Sequence, residues 1–407
     1  MPKICEGRWH VHDSANGQAP VISAKTSPTG LRAALILFAT NGALFGVWVV
    51  RIPDIKLALG LSEAHLGMVL LAAAAGAVTS FGLSARAADH WGAGRVTLAF
   101  GLAMALSLPL LAIMPGAVAL AATLFVFGAA GGSMDLTMNA YGTEVEKRAK
   151  RSRMALLHGS WSTGMAASAG IAYAGAARLP VLTHFALGSA FGLTAFAIAW
   201  WLVVSPGRQP GGAGKRSALI ALPHGPLISV AIITGIAFMT EGAGMEWSGV
   251  YIRETLGGTV EQGALALLIL SGGVMAVRLV GDVIIERIGA ARAAQCCAAL
   301  VIAGSLVAGL TQSPVVALAG LGLMGMGLSL MAPICFSRAG QLAKSGSGEA
   351  VAAVSMVGYG GILLGPVVMG LSGEAFGLSI SFTLLSIGGA ALLALALRRG
   401  TLSPAAA

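Results

Sequence analysis

Residues 81–95 read FGLSARAADHWGAGR, and residues 278–292 read RLVGDVIIERIGAAR. A shift of 197 positions places the first segment on the second and pairs Asp89 with Glu286, Gly92 with Gly289 and Arg95 with Arg292. The same shift pairs two glycines that precede these segments, Gly60 with Gly257 and Gly76 with Gly273. Few random offsets align so many such positions, so the chain contains an internal repeat. The repeat predicts two similar halves.

The composition is that of an integral membrane protein. Hydrophobic residues make up 56% of the 407 residues, charged residues make up only 10%, and the mean hydropathy is +0.84. A soluble protein of this length needs more polar surface than these residues supply. The 58 glycines also suit helices that pack closely in lipid. A lipid bilayer is therefore a predicted partner of this chain.

Apolar stretches long enough to cross a bilayer follow one another along the chain. A spanning helix needs about 20 mostly apolar residues. The sequence predicts an all-α membrane protein with twelve transmembrane helices, at residues 32–54, 64–85, 95–114, 117–142, 153–176, 181–204, 227–251, 262–285, 291–311, 315–340, 350–373 and 378–397. With the repeat, these spans form two pseudo-symmetric six-helix halves.

The predicted organisation also has two tails and a linker. The six-helix halves occupy residues 31–204 and 227–399, and a linker rich in proline and glycine at residues 205–226 connects them. The tails comprise residues 1–30 and 400–407. Residues 1–30 lack the apolar core of a signal peptide, so the N-terminus is expected to stay in the cytoplasm.

The basic residues predict the orientation. An even number of spans puts both termini on one side, and 20 of the 25 Lys and Arg residues fall on that side. Cytoplasmic loops carry such an excess, so both termini are predicted to be cytoplasmic in a multi-pass membrane protein. The formal charge of +9 therefore reflects topology, and no nucleic-acid partner is predicted.

No pattern indicates an enzyme, a metal site or a cofactor. The His-Glu-x-x-His and Gly-x-Ser-x-Gly motifs do not occur in the sequence. The cysteines lack the spacing of a zinc site or a disulfide framework and are interpreted as reduced packing residues: Cys5, Cys296, Cys297 and Cys335. Neither enzymatic activity nor a cofactor is predicted.

Several motifs resemble those of a known family. The segment ARAADHWGAGR at 85–95 and its repeat partner RLVGDVIIERIG at 278–289 resemble the cytoplasmic loop motif of the major facilitator superfamily. Four further segments are similar to its rhizopine-transporter-like (MosC-like) and YbjJ-like bacterial branch: MDLTMNA at 134–140, HGSWSTG at 158–164, EGAGMEWS at 241–248 and GYGGILLGP at 358–366. The resemblance covers residues 31–399. It implies the twelve-helix fold and alternating access, and the solute named for the branch is an inositol-like amine.

Ionisable residues inside the spans are candidates for binding solute or protons, because a charge at that depth costs about 2.5–3.5 kcal/mol on insertion scales. Glu241 lies near the middle of the seventh span, where two-repeat transporters bind their solutes. With a small change of the repeat offset, Glu241 faces Asn41 of the first span. The alternative for Glu241 is a neutral carboxyl that is hydrogen-bonded to a neighbouring helix.

A second candidate group lies in the fourth and fifth spans. Asp135 is one helical turn from Asn139, so both lie on one helix face, and His158 is expected at a comparable depth. Because histidine titrates near physiological pH, Asp135 and His158 are candidates for sharing a proton. The alternative is a structural hydrogen bond between two helices.

Polar and aromatic residues near these positions complete the candidate binding site: Glu246, Trp247, Trp161 and Tyr359. Trp247 and Trp161 either stack on a sugar-like ring or anchor a helix at the membrane interface, and Trp48 has the same two interpretations. Tyr359 either presents its hydroxyl to a cavity or packs against neighbouring helices.

The charged residues of the repeated motif form a predicted cytoplasmic gate: Asp89, Arg95, Arg278, Asp282, Glu286, Arg287 and Arg292. Arg278 and Asp282 are four residues apart on one helix, so they are expected to pair on one face. By the resemblance, this pair belongs to the inward gate; the alternative is a static bridge that holds the fold.

These patterns predict secondary transport of a small polar organic solute, such as a sugar, a polyol or a related amine. Buried carboxylates and a histidine would supply proton coupling, and a monomer is expected. Two alternatives stay open from the sequence: a proton-driven exporter of drugs or metabolites, and a transporter-like protein that senses a solute without moving it.

Overall fold

The structure is a computed structural model that describes residues 28–149, 153–203, 222–342, 347–398 and 401–402. Its described residues form helices and connections, with no strand among them. The predicted tails and the predicted linker lie almost wholly outside the described residues, as does Cys5.

The helices fall into two successive sets. The N-terminal half contains α1 (Pro28–Val50), α2 (Ile52–Ala58), α3 (Glu63–Trp91), α4 (Ala93–Ser107), α5 (Ala117–Ala149), α6 (Met154–Tyr173) and α7 (Val181–Val203). The C-terminal half contains α8 (Leu227–Val250), α9 (Val260–Ile288), α10 (Ala290–Leu310), α11 (Pro314–Leu328), α12 (Met331–Leu342), α13 (Ser347–Phe376) and α14 (Leu378–Leu397). Short helical turns extend α4 at Pro109–Ile113 and α8 at Tyr251–Thr255.

Twelve membrane crossings account for these helices. In the described part of the chain, eleven helical segments are long and apolar enough to span a bilayer, counting α1 with α2 and α11 with α12 as single segments. The remaining crossing is α6, which is 20 residues long and carries polar residues such as His158 and Trp161. The predicted all-α fold is therefore confirmed. We call the side of the bundle where α1 begins and α14 ends the terminal face, and the other side the opposite face.

The repeat found in the sequence is also a repeat of the backbone. Both bounds of α3, Glu63 and Trp91, shifted by 197 positions give both bounds of α9. Each of these helices ends at a glycine of positive φ, Gly92 (86°) and Gly289 (82°), a conformation that suits glycine because it has no Cβ. Helix starts correspond as well, because Ser62 and Thr259 each accept a backbone N–H bond as N-caps.

Several predicted span limits were wrong in a consistent way. The helices α3, α5 and α9 continue past the predicted ends at residues 85, 142 and 285, to Trp91, Ala149 and Ile288. Apolar content marks only the part of a helix inside the bilayer, so polar extensions beyond it are invisible to that criterion. The predicted first span is likewise two helices, separated at Arg51 just before Pro53.

Glycines let the helices within each half approach closely. A Cβ added to Gly128 of α5 would lie 1.9 Å from the Ala73 backbone oxygen of α3, and one added to Gly76 of α3 would lie 2.0 Å from the Phe125 oxygen of α5. Helices α1 and α6 meet in the same way, at Gly42 and Gly164. Lipid tails are as apolar as the helix surfaces, so the hydrophobic effect does not bring two helices together in a membrane. Small residues at the crossings allow the close van der Waals packing that does.

The α3–α5 crossing gives a stability prediction. Gly128→Val should force the two helices apart, since the new side chain would meet backbone atoms, and overpacking of this kind costs about 1–3 kcal/mol or more. Gly272→Val in α9 is the matched control, because nothing lies within 4 Å of its added Cβ. The melting temperature in detergent should fall for Gly128→Val and change little for Gly272→Val. Equal melting temperatures would contradict the close packing.

The two halves meet along two pairs of helices. Helix α3 of the N-terminal half packs against α13 of the C-terminal half, and α6 packs against α9. Near the opposite face, α3 and α13 cross at Gly67 and Gly370, where a Cβ added to Gly67 would lie 3.1 Å from the Gly370 Cα. The line between the halves therefore runs through the centre of the bundle, where the candidate residues lie.

Candidate functional site

Seven half-buried side chains come from helices of both halves, and we call them the central cluster: Asp135, Asn139, His158, Trp161, Glu241, Arg278 and Tyr359. The first four come from α5 and α6, and the last three from α8, α9 and α13. Two of them, Arg278 and Tyr359, contact residues of the N-terminal half. All except Arg278 were predicted from the sequence as binding residues.

Asp135 connects the two halves at this level. The Tyr359 hydroxyl donates a hydrogen bond to Asp135 Oδ2. Asn139 Nδ2 donates to the Asp135 backbone oxygen at 2.8 Å and lies 3.4 Å from Asp135 Oδ1, so these two residues share a helix face as predicted. The Tyr359 ring also contacts Phe81 of α3 edge-on, with centroids 5.0 Å apart. Tyr359 is therefore a polar contact between the halves.

Arg278 lies in the central cluster, and its predicted pairing with Asp282 was wrong. Its Nε donates to the Ser329 backbone oxygen at 3.2 Å, and its Nη1 lies 3.4 Å from Ser162 Oγ of the other half. The guanidinium interacts electrostatically with Glu241 and with His158. Asp282 is exposed and makes no ion pair with Arg278. The long side chain instead follows α9 toward the centre, where Ser329 marks the break between α11 and α12.

His158 and Asp135 do not form the predicted pair, because no hydrogen bond joins them within the described structure. Asp135 is bound to Tyr359 instead, and the His158 ring packs edge-on against Phe38, with centroids 5.5 Å apart. His158 therefore faces Arg278 and the cluster without a carboxylate partner of its own.

Asn41 and Trp161 form a pair within the N-terminal half. Trp161 Nε1 donates to Asn41 Oδ1 at 2.8 Å, and the Asn41 side chain is buried. The Trp161 ring is half-buried in the bundle and lies 6.4 Å from the Phe45 ring, so it does not anchor α6 at a membrane interface. Asn41 thus orients the Trp161 ring rather than facing the central space.

Glu246 and Trp247 lie outside the central cluster. Trp247 is 0% exposed, so it does not lie at a membrane interface, and its role as a stacking platform stays a prediction. Trp48, which lies 199 positions before Trp247 and so close to the repeat offset, is buried as well and packs against Phe127 and Phe185. Glu246 is 8% exposed. Hydropathy places a residue along a span but does not tell which way its side chain points.

The predicted gate is unpaired at the terminal face. Its remaining members are all exposed, and no ion pair between any two of them is formed in the described residues: Asp89, Arg95, Asp282, Glu286, Arg287 and Arg292. Their role as a gate stays a prediction. In this structure the terminal face is not held closed by these charges.

The opposite face carries ion pairs between the halves that sequence reasoning missed. Arg253 Nη1 donates to Asp54 Oδ1 at 2.8 Å, and Lys56 Nζ donates to Glu254 Oε2 at 2.5 Å. At the rim, Arg178 Nε donates to Glu261 Oε1 at 2.6 Å. These pairs join the end of α2 and the α6–α7 connection to the α8–α9 region. The halves are therefore tied together at the opposite face.

Arg51 holds Asp54 in position for its ion pair with Arg253. Its Nη1 donates to Asp54 Oδ2 at 2.9 Å, and its Nε donates to His184 Nδ1 at 2.9 Å. Further bonds reach the backbone oxygens of Ala177 and Leu179. Because a guanidinium always donates, His184 must be the acceptor and its Nδ1 carries no proton. Asp54 thus lies between two guanidinium groups, one from each half.

The repeat contained the signal that could have revealed these pairs. Asp54 and Arg253 are 199 positions apart, and Lys56 and Glu254 are 198 apart, close to the repeat offset of 197. Opposite charges at equivalent positions of two repeats are able to meet across a pseudo-two-fold axis, as residues do in a symmetric dimer. A single shift of 197 positions does not align these paired residues, so the repeat alone did not predict the ion pairs.

Comparison with known proteins agrees with this architecture. The profile of the Major Facilitator Superfamily matches residues 33–366. The chain belongs to the Major Facilitator Superfamily. Among its relatives, the uncharacterized transporter y4wD of Sinorhizobium fredii is 31% identical over 365 residues, which cover 88% of this chain and 95% of that protein. The membrane protein MosC of Rhizobium meliloti is 30% identical over 383 residues, which cover 91% of each.

Solved structures of the superfamily share the fold. The nucleoside transporter NupG, in the structure of a mutant form, superposes with a TM-score of 0.74 at 14% identity, covering 90% of this chain and 98% of that one. The human organic anion transporter MFSD10 superposes with a TM-score of 0.63 at 15% identity, covering 90% of this chain and 99% of that one. At such identities the likeness concerns the fold alone. The chain is a multi-pass membrane transporter of this superfamily.

Proposed function

We propose that this superfamily member is a secondary active transporter that moves a small polar organic solute, namely a sugar, a polyol or a related amine, by alternating access and with proton coupling. The observation that carries the proposal is the central cluster, which draws carboxylate, imidazole, guanidinium and phenol groups from both halves to one level. A polar solute needs hydrogen-bonding groups of this kind, and polar side chains in a membrane are retained chiefly for function.

The proposed mechanism follows from the position of the ion pairs that join the two halves. Ion pairs hold the halves together at the opposite face, while the exposed charges of the predicted gate at the terminal face form no ion pair with one another in the described residues. This arrangement supports a state in which the central cluster is open to the terminal face. Rocking of the halves along the α3–α13 and α6–α9 contacts would close the terminal face and open the other. We propose that the terminal face is cytoplasmic, in the bacterial inner membrane, and that the protein acts as a monomer.

The proposed function is tested with purified protein. A thermal-shift screen of sugars, polyols, amino sugars and dyes selects ligands, because a bound ligand stabilises the folded state. Each ligand is then offered to proteoliposomes under an imposed proton gradient. We expect a polyol, sugar or amine to accumulate and a protonophore to prevent it. Binding without flux under any gradient would favour a sensor, and extrusion of dyes would favour an exporter.

Glu241→Gln tests the coupling chemistry of the cluster. Glutamine keeps the shape and the hydrogen-bonding atoms of the carboxyl but cannot ionise. Gradient-driven uptake should be lost while exchange of solute across the membrane continues. Glu144→Gln is the matched control, because Glu144 pairs with Arg148 at the far end of α5, away from the cluster. Uptake by Glu241→Gln at the wild-type rate would remove Glu241 from the mechanism.

A further inference from the structure

The stretch of α8 beyond Glu241 buries three polar atoms that have no hydrogen-bond partner in the described structure: Glu246 Oε2, Trp247 Nε1 and Ser248 Oγ. Glu246 differs from the other two because its carboxyl is able to carry a charge. An ionised carboxylate in such a buried position, with one oxygen unpartnered, is strongly disfavoured. Burial in this position therefore favours the neutral, protonated form of the carboxyl.

The position of Glu246 on α8 shows what covers it. Residues 242, 246, 249 and 253 follow one another at helical spacing and form one stripe along α8. A Cβ added to Gly249 would lie 3.3 Å from Pro53 Cγ, and Arg253 binds Asp54. Both partners belong to the N-terminal half. One turn earlier, a Cβ added to Gly242 would instead lie 3.9 Å from Ile362 of α13. Glu246 thus lies between a turn of α8 that faces α13 and a turn that faces the N-terminal half.

No neighbouring charge offsets a negative charge on Glu246. Burial alone acts on its carboxyl in the described structure, whereas Glu241 has Arg278 nearby. The charged groups of the elements around it toward the opposite face are engaged elsewhere: Asp54 with Arg253, Lys56 with Glu254, Arg178 with Glu261, and Glu374 with the backbone N–H of Ala64. A proton is therefore the simplest species that neutralises this site.

We propose that Glu246 is a proton-binding residue whose protonation is required for the opposite face to close. When the halves part at that face, the stripe of α8 loses its cover from the N-terminal half and water reaches the carboxyl, which ionises. Closure buries the carboxyl again, and this requires a proton taken up from the water on that side. The inference rests on the proposed transport function and deepens it by assigning a proton site separate from Glu241.

Linkage determines the sign of the effect. The closed form holds one proton more than the open form, so the ratio of closed to open protein should rise by up to about tenfold for each pH unit of acidification. An effect of acid on the ion pairs of the same face would have the reverse sign, because the loss of a negative charge weakens an ion pair. The direction of the pH response therefore shows whether protonation of Glu246 or weakening of the ion pairs dominates.

The test measures closure without any solute. Spin labels are attached at Ile113 and Val315, which are exposed and lie at the opposite-face ends of the two halves, in a protein whose native cysteines are replaced. Their distance distribution is recorded across a range of pH. The closed population should grow on acidification in the wild type, and Glu246→Gln, which mimics the protonated carboxyl, should be closed at every pH. The control variants Glu241→Gln and Glu144→Gln should keep the wild-type response.

An infrared measurement guards against a variant that folds poorly. The carboxyl C=O band of the closed wild type should include a component that is absent from Glu246→Gln. The inference is overturned by a wild-type pH response in Glu246→Gln, by opening on acidification in the wild type, or by the lack of that infrared component. Because no solute is added, a failure of the proposed transport activity would leave this result unaffected.

Discussion

Arg278→Gln should abolish transport, while Asp282→Asn should retain it with at most a change of rate. The guanidinium contacts Ser162 of one half and Ser329 of the other, and it acts on both Glu241 and His158. Without it, Glu241 would be a half-buried carboxylate without a cation beside it. Solute uptake into proteoliposomes checks the prediction. If Arg278 worked through an ion pair with Asp282, both substitutions would have the same effect.

A double-mutant cycle measures how tightly Arg278 and Glu241 are coupled. Each single change to glutamine leaves one charge of the pair unmatched, and Arg278→Gln with Glu241→Gln removes both. Residues in one electrostatic network show coupling energies of about 0.5–3 kcal/mol. The double variant should therefore melt at a higher temperature than the sum of the single effects predicts, although it transports nothing. Strict additivity would mean that the two groups do not interact.

Arg278→Lys separates charge from geometry. Lysine keeps the positive charge, but it has no planar fork that reaches Ser162 and Ser329 together. We expect the melting temperature to stay close to that of the wild type, because the charge beside Glu241 remains, and uptake to fall at least tenfold. Full activity of Arg278→Lys would show that a point charge is sufficient at this position.

The fold was predictable because its signals are distributed over many residues. Hydropathy is summed over every span, and the shift of 197 positions rests on five separate residue pairs, so a local error changes little. Helix ends were less predictable, since α3 and α9 continue into polar sequence that no bilayer criterion detects. The break at Arg51 depends on one proline and on partners that are distant in sequence.

The candidate site was only partly predictable, because depth and direction are different quantities. The spans predict that Glu241, Glu246 and Trp247 lie at neighbouring depths, but successive residues of a helix point about 100° apart. Tertiary packing decides which of them meets the centre, and Trp247 is buried completely. Arg278 was assigned to the wrong group for a related reason, because a four-residue spacing permits a pair with Asp282 but does not enforce one.

Asp54→Asn should open the opposite face. The Asp54 side chain is 18% exposed and that of Arg253 is 14% exposed, so this ion pair is well shielded from solvent. Loss of the carboxylate would leave Arg51 and Arg253 facing each other without a counter-charge. A fully buried pair that loses one member costs about 3–5 kcal/mol, and the residual exposure here reduces the expected loss to about 2–3 kcal/mol. The closed-to-open ratio should then fall by roughly 30- to 160-fold.

Arg178→Gln is the control for the change in the closed-to-open ratio expected of Asp54→Asn. Arg178 is 74% exposed and its pair with Glu261 is therefore worth at most about 1 kcal/mol, which corresponds to roughly a fivefold change in the closed-to-open ratio. The Ile113 and Val315 labels report both variants in the same assay. A large shift for Asp54→Asn and a small one for Arg178→Gln would mean that the shielded charges hold this face closed. Small changes of the closed-to-open ratio in both variants would mean that the α3–α13 packing at Gly67 and Gly370 holds this face closed. The ion pairs would then determine only how the two halves align.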